Sequence, residues 1–209
     1  MRTISIQNAQ IPVGFYNIRA PFNTLPIGTT TSITTYTIPP GNYTLAQLNA
    51  VTFVGGTTLL SLGQFAASAT SNVLTFNGNG GSVRYLGPVT PNSLLSFLGY
   101  THTSQVSGAT LVGTNPYTLN WDTYINMWIE NVGQSSLEPA QITFKIPLSS
   151  TTNGVAYWSE GSQNIQKICI TDKNARIDRL NIVFQDRFGT ILNNNGLDWS
   201  MSFDIESEN

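Results

Sequence analysis

Short runs that alternate hydrophobic and polar residues, separated by glycine and proline, extend along most of the chain. β-Branched and aromatic residues fill these runs, and turn-forming residues recur at the short intervals typical of a β-sandwich or barrel. No long segment has the periodicity of an amphipathic helix. The pattern predicts an all-β fold, with its five clearest strands in the second half of the chain, at 124–132, 141–147, 164–171, 177–184 and 198–206.

Two of these strands alternate strictly enough to predict which residues share a face. In 198–206 large apolar residues occupy every second position from Trp199 to Ile205, and serine or acidic residues lie between them. Because successive side chains of a strand point to opposite faces, the apolar set is predicted to face the core. The two faces of the other strand carry Ile125, Met127 and Ile129, and Tyr124, Asn126, Trp128 and Glu130.

The first half contains fewer clear strands and two short helices. Strands are predicted over 32–38, 64–70 and 73–76, and a glycine-rich turn over 77–81. A first helix at 44–52 begins with the capping box Thr44-Leu45-Ala46-Gln47, in which the threonine and glutamine side chains satisfy each other's backbone donors. A second helix at 94–98 is capped by Asn92-Ser93 and ended by Gly99.

Residues 1–32 are predicted to form an extended arm with one or two short strands, a candidate to order against an adjacent subunit. The whole chain of 209 residues suits one domain, residues 1–209, because all-β sandwiches and barrels often reach this size undivided.

Charge is scarce and unevenly distributed. Charged residues make up 10% of the chain, and no Asp or Glu precedes Asp122, whereas roughly 25% is usual for a soluble domain. Residues 1–121 contain three arginines and no acid, for a charge of +3, and residues 122–209 contain six basic and 11 acidic residues, for −5. Ser, Thr, Asn and Gln must wet the surface, and low self-repulsion favours close packing of many copies. The alternative is an Asn/Thr-rich β-protein of unusual composition.

Bulk composition also limits the compartment and the partners. The only cysteine is Cys169, so no intrachain disulfide can form, which favours a reducing compartment. No signal peptide is recognised, and no apolar run approaches the roughly 18 residues of a membrane span. A net charge of −2 gives no general attraction to nucleic acid, so no direct nucleic-acid contact is expected.

The residues offer little for catalysis. His102 is the only histidine and is interpreted as a solvated loop residue, because no nucleophile elbow or second histidine accompanies it. Zinc would need more than His102 and Cys169. A glycosidase-type pair could be drawn only from scattered carboxylates, namely Asp122, Glu130, Asp172, Asp186, Asp198 and Asp204. We therefore predict no enzyme, no catalytic, cofactor-binding or metal residue, and no cofactor.

Two segments invite other interpretations. Trp121, Tyr124 and Trp128 could form a sugar-binding face, although a core strand with subunit contacts explains them as well. The mixed charges of 176–179 and 186–187 are typical of interface ion pairs rather than of a nucleic-acid patch.

Several motifs together resemble a known family. These are Tyr-Thr-Ile-Pro-Pro-Gly-Asn-Tyr-Thr at 36–44, Leu-Leu-Ser-Phe-Leu-Gly-Tyr at 94–100, Asp-Arg-Phe-Gly at 186–189 and Asn-Gly-Leu-Asp-Trp at 195–199. In this order they resemble the penton and minor capsid proteins, single jelly rolls, of large icosahedral double-stranded DNA viruses and virophages. The resemblance implies one jelly roll of eight antiparallel strands, without catalytic residues.

The expected function is that of a structural capsid protein in the virion, assembled inside the host cell. The resemblance favours the penton, a homopentamer at each five-fold vertex that contacts neighbouring major and minor capsid proteins. The alternatives are a minor capsid protein between major capsomers, or a lectin-like β-sandwich that uses Trp121, Tyr124 or Trp128. An enzyme ranks third.

Overall fold

A computed structural model describes residues 2–91, 93–120, 122–129, 134–135, 138–139, 142–148, 154–159, 167–170 and 180–207. Over these residues the chain forms mainly β-strands, and every pairing between named strands is antiparallel. The all-β prediction is confirmed.

In chain order the strands are β1 (Arg2–Pro12), β2 (Thr24–Gly28), β3 (Thr34–Thr37), β4 (Gly63–Ala67), β5 (Val73–Gly78), β6 (Arg84–Leu86), β7 (Val106–Gly108), β8 (Thr110–Pro116), β9 (Tyr124–Ile129), β10 (Gln134–Ser135), β11 (Glu138–Pro139), β12 (Ile142–Pro147), β13 (Val155–Ser159), β14 (Lys167–Ile170), β15 (Ile182–Gln185) and β16 (Ser200–Ser207). The helices are α1 (Leu45–Asn49), α2 (Leu59–Leu62) and α3 (Leu94–Phe97), with a 3-10 turn at Asn79–Gly81.

The chain divides into two compact units. Unit 1 comprises Met1–Phe15 and Asp122–Asn209, and unit 2 comprises Tyr16–Trp121. Each unit has its own cluster of buried hydrophobic residues, and the two clusters share no member. The sequence predicted one domain over 1–209, whereas the structure describes two units within that range.

Strand β1 organises unit 1. Along one side it pairs with β16, and along the other it pairs first with β14 and then with β13. A second sheet has the order β12-β9-β15, and β10 pairs with β11. The core is formed mainly by apolar residues of β1, β9 and β12, which are Ile4, Ile6, Ala9, Ile11, Ile125, Met127, Ile129, Phe144 and Ile146.

The segment 1–32, predicted as an extended arm with one or two short strands, contains β1 and β2 in the structure. β1 is paired on both sides within its own chain, and its apolar residues Ile4, Ile6, Ala9 and Ile11 are buried, with a shift of register between Ile6 and Asn8. Residues 24–28 form β2, which pairs with β3 and β6 in unit 2. Partner strands that are distant in sequence therefore satisfy the backbone hydrogen bonds of this segment.

Unit 2 contains two sheets, with strand orders β3-β2-β6-β7 and β4-β5-β8. Its short helices follow the predicted signals. The side chains of Thr44 and Gln47 complete the capping box of α1, and Ser93 caps α3 through the N–H of Leu95. Gly99 adopts a φ of 84°, which ends α3 in the left-handed conformation that glycine favours.

Asparagine side chains fasten the irregular segments of unit 2. Asn17 Oδ1 accepts from the Tyr43 N–H at 2.9 Å, and its Nδ2 donates to the Tyr43 carbonyl at 2.9 Å. Asn49 makes the same two bonds to the backbone of Phe65, each at 2.8 Å. An amide group supplies both a donor and an acceptor, so it substitutes for a neighbouring strand at these points.

The strand pattern of β9 is confirmed and that of β16 is partly wrong. Ile125, Met127 and Ile129, which were predicted to share one face, are all buried. In the final segment, however, Trp199 and Ile205 are exposed hydrophobic residues. β16 is an outer strand of its sheet in the described part of the chain, so the ends of its apolar face extend past the core.

Candidate functional site

The sole histidine performs a structural task. His102 is half-buried, its Nε2 lies 2.8 Å from the carbonyl oxygen of Gly87, and its own carbonyl accepts from the Val89 N–H at 2.9 Å. The ring also meets Tyr100 edge-on at a centroid distance of 6.0 Å. His102 therefore connects two segments of unit 2. It is more buried and makes more contacts than the solvated loop residue predicted from the sequence.

Of the six carboxylates considered for a glycosidase-type pair, the structure describes four, and Asp186 has a structural role. Asp186 is fully buried, and its Oδ1 accepts from the N–H groups of Phe188 and Thr190 at 2.8 and 2.9 Å. These bonds close the turn between β15 and Ile191. Asp198 is exposed beside β16, Asp204 lies in that strand, and Asp122 is half-buried before β9. Glu130 and Asp172 lie outside the described residues.

Metal ligands do not converge in the part of the chain that the structure describes. No group of three or more His, Cys, Asp or Glu residues there could hold a metal ion. Cys169 lies in β14, in agreement with its predicted place in a strand. Within the same described residues, none of the helices has the length and apolar character required to cross a membrane.

The sugar-binding face predicted at Trp121, Tyr124 and Trp128 is not an open aromatic surface where it is described. Tyr124 and Trp128 are half-buried, and Lys145 Nζ lies 5.0 Å from the centre of the Tyr124 ring. The ammonium group of Lys145 therefore lies over one face of the Tyr124 ring. Trp121 lies outside the described residues, as do the mixed charges of 176–179.

The neutral surface of unit 2 is the leading candidate for an assembly interface. In residues 16–121 the only charged side chains are Arg19 and Arg84. Arg19 is 9% exposed and its Nη1 donates to the Tyr16 carbonyl at 2.8 Å. Arg84 donates from Nε to the Leu62 carbonyl at 2.5 Å and from Nη1 to the Val83 carbonyl at 3.2 Å. Both guanidinium groups are thus engaged by backbone oxygens.

Exposed apolar side chains lie on this neutral surface. They are Val54, Leu60, Val83 and Val112, each at least half exposed. The outer strands β3 and β4 also contain no charged residue, whereas β16 in unit 1 carries Asp204 and Glu206. Charges on an edge strand discourage pairing with another chain, so the edges of unit 2 lack that protection.

A second surface feature was missed by sequence reasoning. A cleft of about 260 Å³ lies in unit 1 and is lined by Gln10, Pro12, Val155, Tyr157, Asp198, Trp199 and Ser200. Its residues come from three strands that are far apart in sequence, so only the strand register brings them together. The sequence singles out Asp198 and Trp199 but gives no sign that Tyr157 and Gln10 lie beside them.

Burial perturbs two tyrosines in unit 2. It raises the pKa of Tyr100, whose hydroxyl donates to the Leu111 carbonyl at 3.0 Å, above the usual value of 10. Burial also raises the pKa of Tyr43, whose hydroxyl donates to the Pro39 carbonyl at 2.8 Å. Both phenols remain neutral hydrogen-bond donors to backbone, which marks them as structural groups.

Comparison with known proteins gives one structural likeness. No family model matches the chain, and no curated protein matches it. Among solved structures, the chain is similar to the mavirus penton protein, a crystal structure of selenomethionine-labelled protein. The identity is 10% and the TM-score 0.44, over 91% of this chain and 82% of that chain.

Proposed function

We propose that this chain is a structural capsid subunit, and specifically the penton that forms a pentamer at each five-fold vertex. The observation that carries the proposal is the neutral surface of unit 2. Residues 16–121 contain no acidic residue, and backbone carbonyls accept hydrogen bonds from both of their arginines.

A neutral polar surface suits permanent contact between many copies. Burying a charge without a partner costs several kcal/mol per ion, and this surface has almost no charge to bury. The exposed valine and leucine side chains add apolar area that gains about 25 cal/mol for each Å² removed from water. Association through unit 2 should therefore depend little on salt, since salt acts mainly on exposed charges.

The two units also differ in sign. Unit 2 carries a formal charge of +2 from its two arginines, and unit 1 carries −4 from seven basic and 11 acidic residues. A ring closes through heterologous contacts, in which each copy presents different surfaces to its two neighbours. Because the two units carry charges of opposite sign, contact between unit 1 of one copy and unit 2 of the next would be favoured over contact between like units. This preference does not require specific ion pairs.

The single eight-stranded jelly roll is part of the same proposal. Its support is the arrangement of unit 1, where the β1 sheet and the β9 sheet contribute to one hydrophobic core. Two antiparallel sheets that share a core form a β-sandwich, the general architecture to which a jelly roll belongs. The motifs at 36–44, 94–100, 186–189 and 195–199 resemble penton and minor capsid proteins and favour the same assignment.

Native mass spectrometry over a range of protein and salt concentrations tests this function. We expect a pentamer whose population changes little with sodium chloride. A protein that stays monomeric under all conditions, and is missing from purified virions, would contradict the capsid role. A stable oligomer of another size within virions would instead favour the minor capsid protein between major capsomers.

A pair of matched variants locates the contact. Val112→Asp places an acid on β8 of unit 2, where the valine is 65% exposed, and Ile191→Asp places one in unit 1, where the isoleucine is 68% exposed. Burial of the new carboxylate in a subunit contact should dissociate the pentamer only for Val112→Asp. Dissociation by Ile191→Asp alone would move the interface to unit 1.

A further inference from the structure

The cleft of unit 1 is built on the outer face of the β1 sheet. In the strand register Gln10 of β1 lies opposite Tyr157 of β13 on one side and opposite Ser200 of β16 on the other. Residues directly opposite each other in antiparallel strands project to the same face, with Cβ atoms about 5 Å apart. The three side chains therefore form one row across three strands.

The opposite face of the same strands is the core. Ala9 and Ile11, which flank Gln10, are buried, and so is Ala156, which pairs with Ile11. Gln10, Tyr157 and Ser200 are all exposed, and Tyr157 is 64% exposed. The sheet thus presents a tyrosine ring, an amide and a hydroxyl to solvent in an order fixed by the strand register.

Two residues that precede β16 form the side of the cleft. The indole of Trp199 meets the ring of Phe184 edge-on at 5.1 Å, which anchors it to residues that pack on the core, yet it remains 41% exposed. Asp198 adds an exposed carboxylate to the lining, and Pro12 and Val155, an opposed pair, continue the floor next to the row.

We propose that this cleft binds a neutral saccharide. One face of a pyranose ring is a patch of C–H groups that packs on an aromatic ring, and Tyr157 and Trp199 offer two such rings. The hydroxyl groups around the sugar need both donors and acceptors, which Gln10, Ser200 and Asp198 supply. The volume of about 260 Å³ lies just below the range of roughly 300–1,000 Å³ for drug-sized ligands, so it suits one or two sugar rings.

The charge of the lining selects among ligand classes. Asp198 is the only charged residue among the seven that line the cleft, so an anionic ligand such as an acidic sugar would meet a carboxylate and no cation. A quaternary ammonium ion could use the aromatic rings and the carboxylate. It would leave the amide of Gln10 and the hydroxyl of Ser200 without a role, which favours the neutral sugar.

The test is an NMR titration of the full chain with free methyl glycosides of glucose, galactose, mannose and N-acetylglucosamine. Sialic acid and tetramethylammonium chloride serve as the charged comparisons, and an array of immobilised glycans separates recognition of surface carbohydrate from that of soluble sugar. We expect at least one neutral glycoside to bind, with shifts at amides around Gln10, Tyr157 and Ser200.

Variants connect the binding to this cleft. Tyr157→Ala should weaken it about tenfold or more, because the stacking ring is lost, and Tyr157→Phe should restore it. Phe188→Ala removes an exposed aromatic ring of the same unit outside the lining and should leave binding unchanged. Asp198→Asn should change the affinity for a neutral sugar by less than tenfold, since the amide retains an acceptor.

Three results would overturn the proposal. The first is the failure of every neutral glycoside and every array glycan to bind folded protein. The second is saccharide binding that Tyr157→Ala leaves unchanged. The third is preferential binding of tetramethylammonium that Asp198→Asn abolishes, which would mark a cation site. Oligomer size is recorded for each sample, so a monomer that binds sugar refutes the pentamer and supports the cleft.

Discussion

The two units perform the same structural tasks with partly different chemistry. Unit 2 fastens its loops with neutral amides, as Asn17 does for the backbone of Tyr43. Unit 1 also uses amides, as Asn194 does for the N–H of Gly14, but it adds the carboxylate of Asp186 for the N–H groups of Phe188 and Thr190. Each solution satisfies buried backbone groups, but only the carboxylate brings a charge. A domain can therefore keep a full core and ordered loops with almost no charged side chains, and such a domain leaves its surface available for permanent contacts.

The largest effect should come from emptying one core at a time. Phe76 and Phe144 are almost completely buried in the clusters of units 2 and 1, and replacement by alanine should cost about 3–5 kcal/mol in either case. Hydrogen exchange measured by peptide should show faster exchange in 16–121 for Phe76→Ala, and in unit 1 for Phe144→Ala. Uniform loss of protection in both variants would show that the units unfold as one.

A backbone substitution should distinguish two glycines of unit 2. Gly99 has a positive φ, and an added Cβ would meet the carbonyl oxygen of Asn115, whose N–H donates to Gly99. Gly80 also has a positive φ, but nothing lies within 4 Å of its added Cβ. Gly99→Ala should lower the free energy of unfolding by more than about 2 kcal/mol, against about 1 kcal/mol for Gly80→Ala. If both variants lost the same stability in urea denaturation, the backbone at Asn115 would have moved at little cost to accommodate the added Cβ.

The loop anchors offer a direct comparison of amide and carboxylate. Asp186→Ala leaves the N–H groups of Phe188 and Thr190 without that acceptor, and Asn17→Ala removes both bonds to Tyr43. Each should cost about 1–3 kcal/mol in thermal or urea unfolding. Asp204→Ala, in the outer strand β16, is the control and should cost under about 1 kcal/mol. If the Asp186→Ala variant were as stable as that control, the carboxylate of Asp186 would not stabilise the turn.

The smallest effect concerns Tyr100 and appears fully only in alkali. Tyr100→Phe should cost about 1 kcal/mol at neutral pH, because the bond to the Leu111 carbonyl is lost. Burial raises the pKa of Tyr100, so above about pH 10 the unfolded chain releases a proton that the folded chain retains. The stability of the wild type should therefore fall as the pH rises past that point, and the variant should lose less. Parallel pH profiles would contradict this assignment.

Local signals in the sequence predicted local structure well. The capping box at Thr44 and Gln47, the Ser93 cap and the Gly99 terminus all depend on residues within a few positions of one another. The division of β9 into two faces, one of which is buried, followed from strict alternation.

Features that depend on distant pairing could not be predicted in the same way. The sequence predicts one or two short strands within 1–32 but not their partners, because the strands that pair with β1 lie at 155–207. The row of Tyr157, Gln10 and Ser200 exists only because of the register of three strands. The division into two units could not be predicted, because unit 1 is formed from two segments, 1–15 and 122–209, that unit 2 separates in the sequence. The exposure of Trp199 depends on where the core ends.

The pairing of β1 with β16 has a consequence for synthesis on the ribosome. Unit 2 is continuous in sequence, so all of its strands have been synthesised by residue 121, long before the last partner of β1 at 200–207. Until then four apolar residues of β1 that the folded protein buries, at Ile4, Ile6, Ala9 and Ile11, lack the partner strand β16. Domains generally fold as units during translation. Unit 2 should accordingly fold first, and the sheet around β1 should be completed only after β16 has been synthesised.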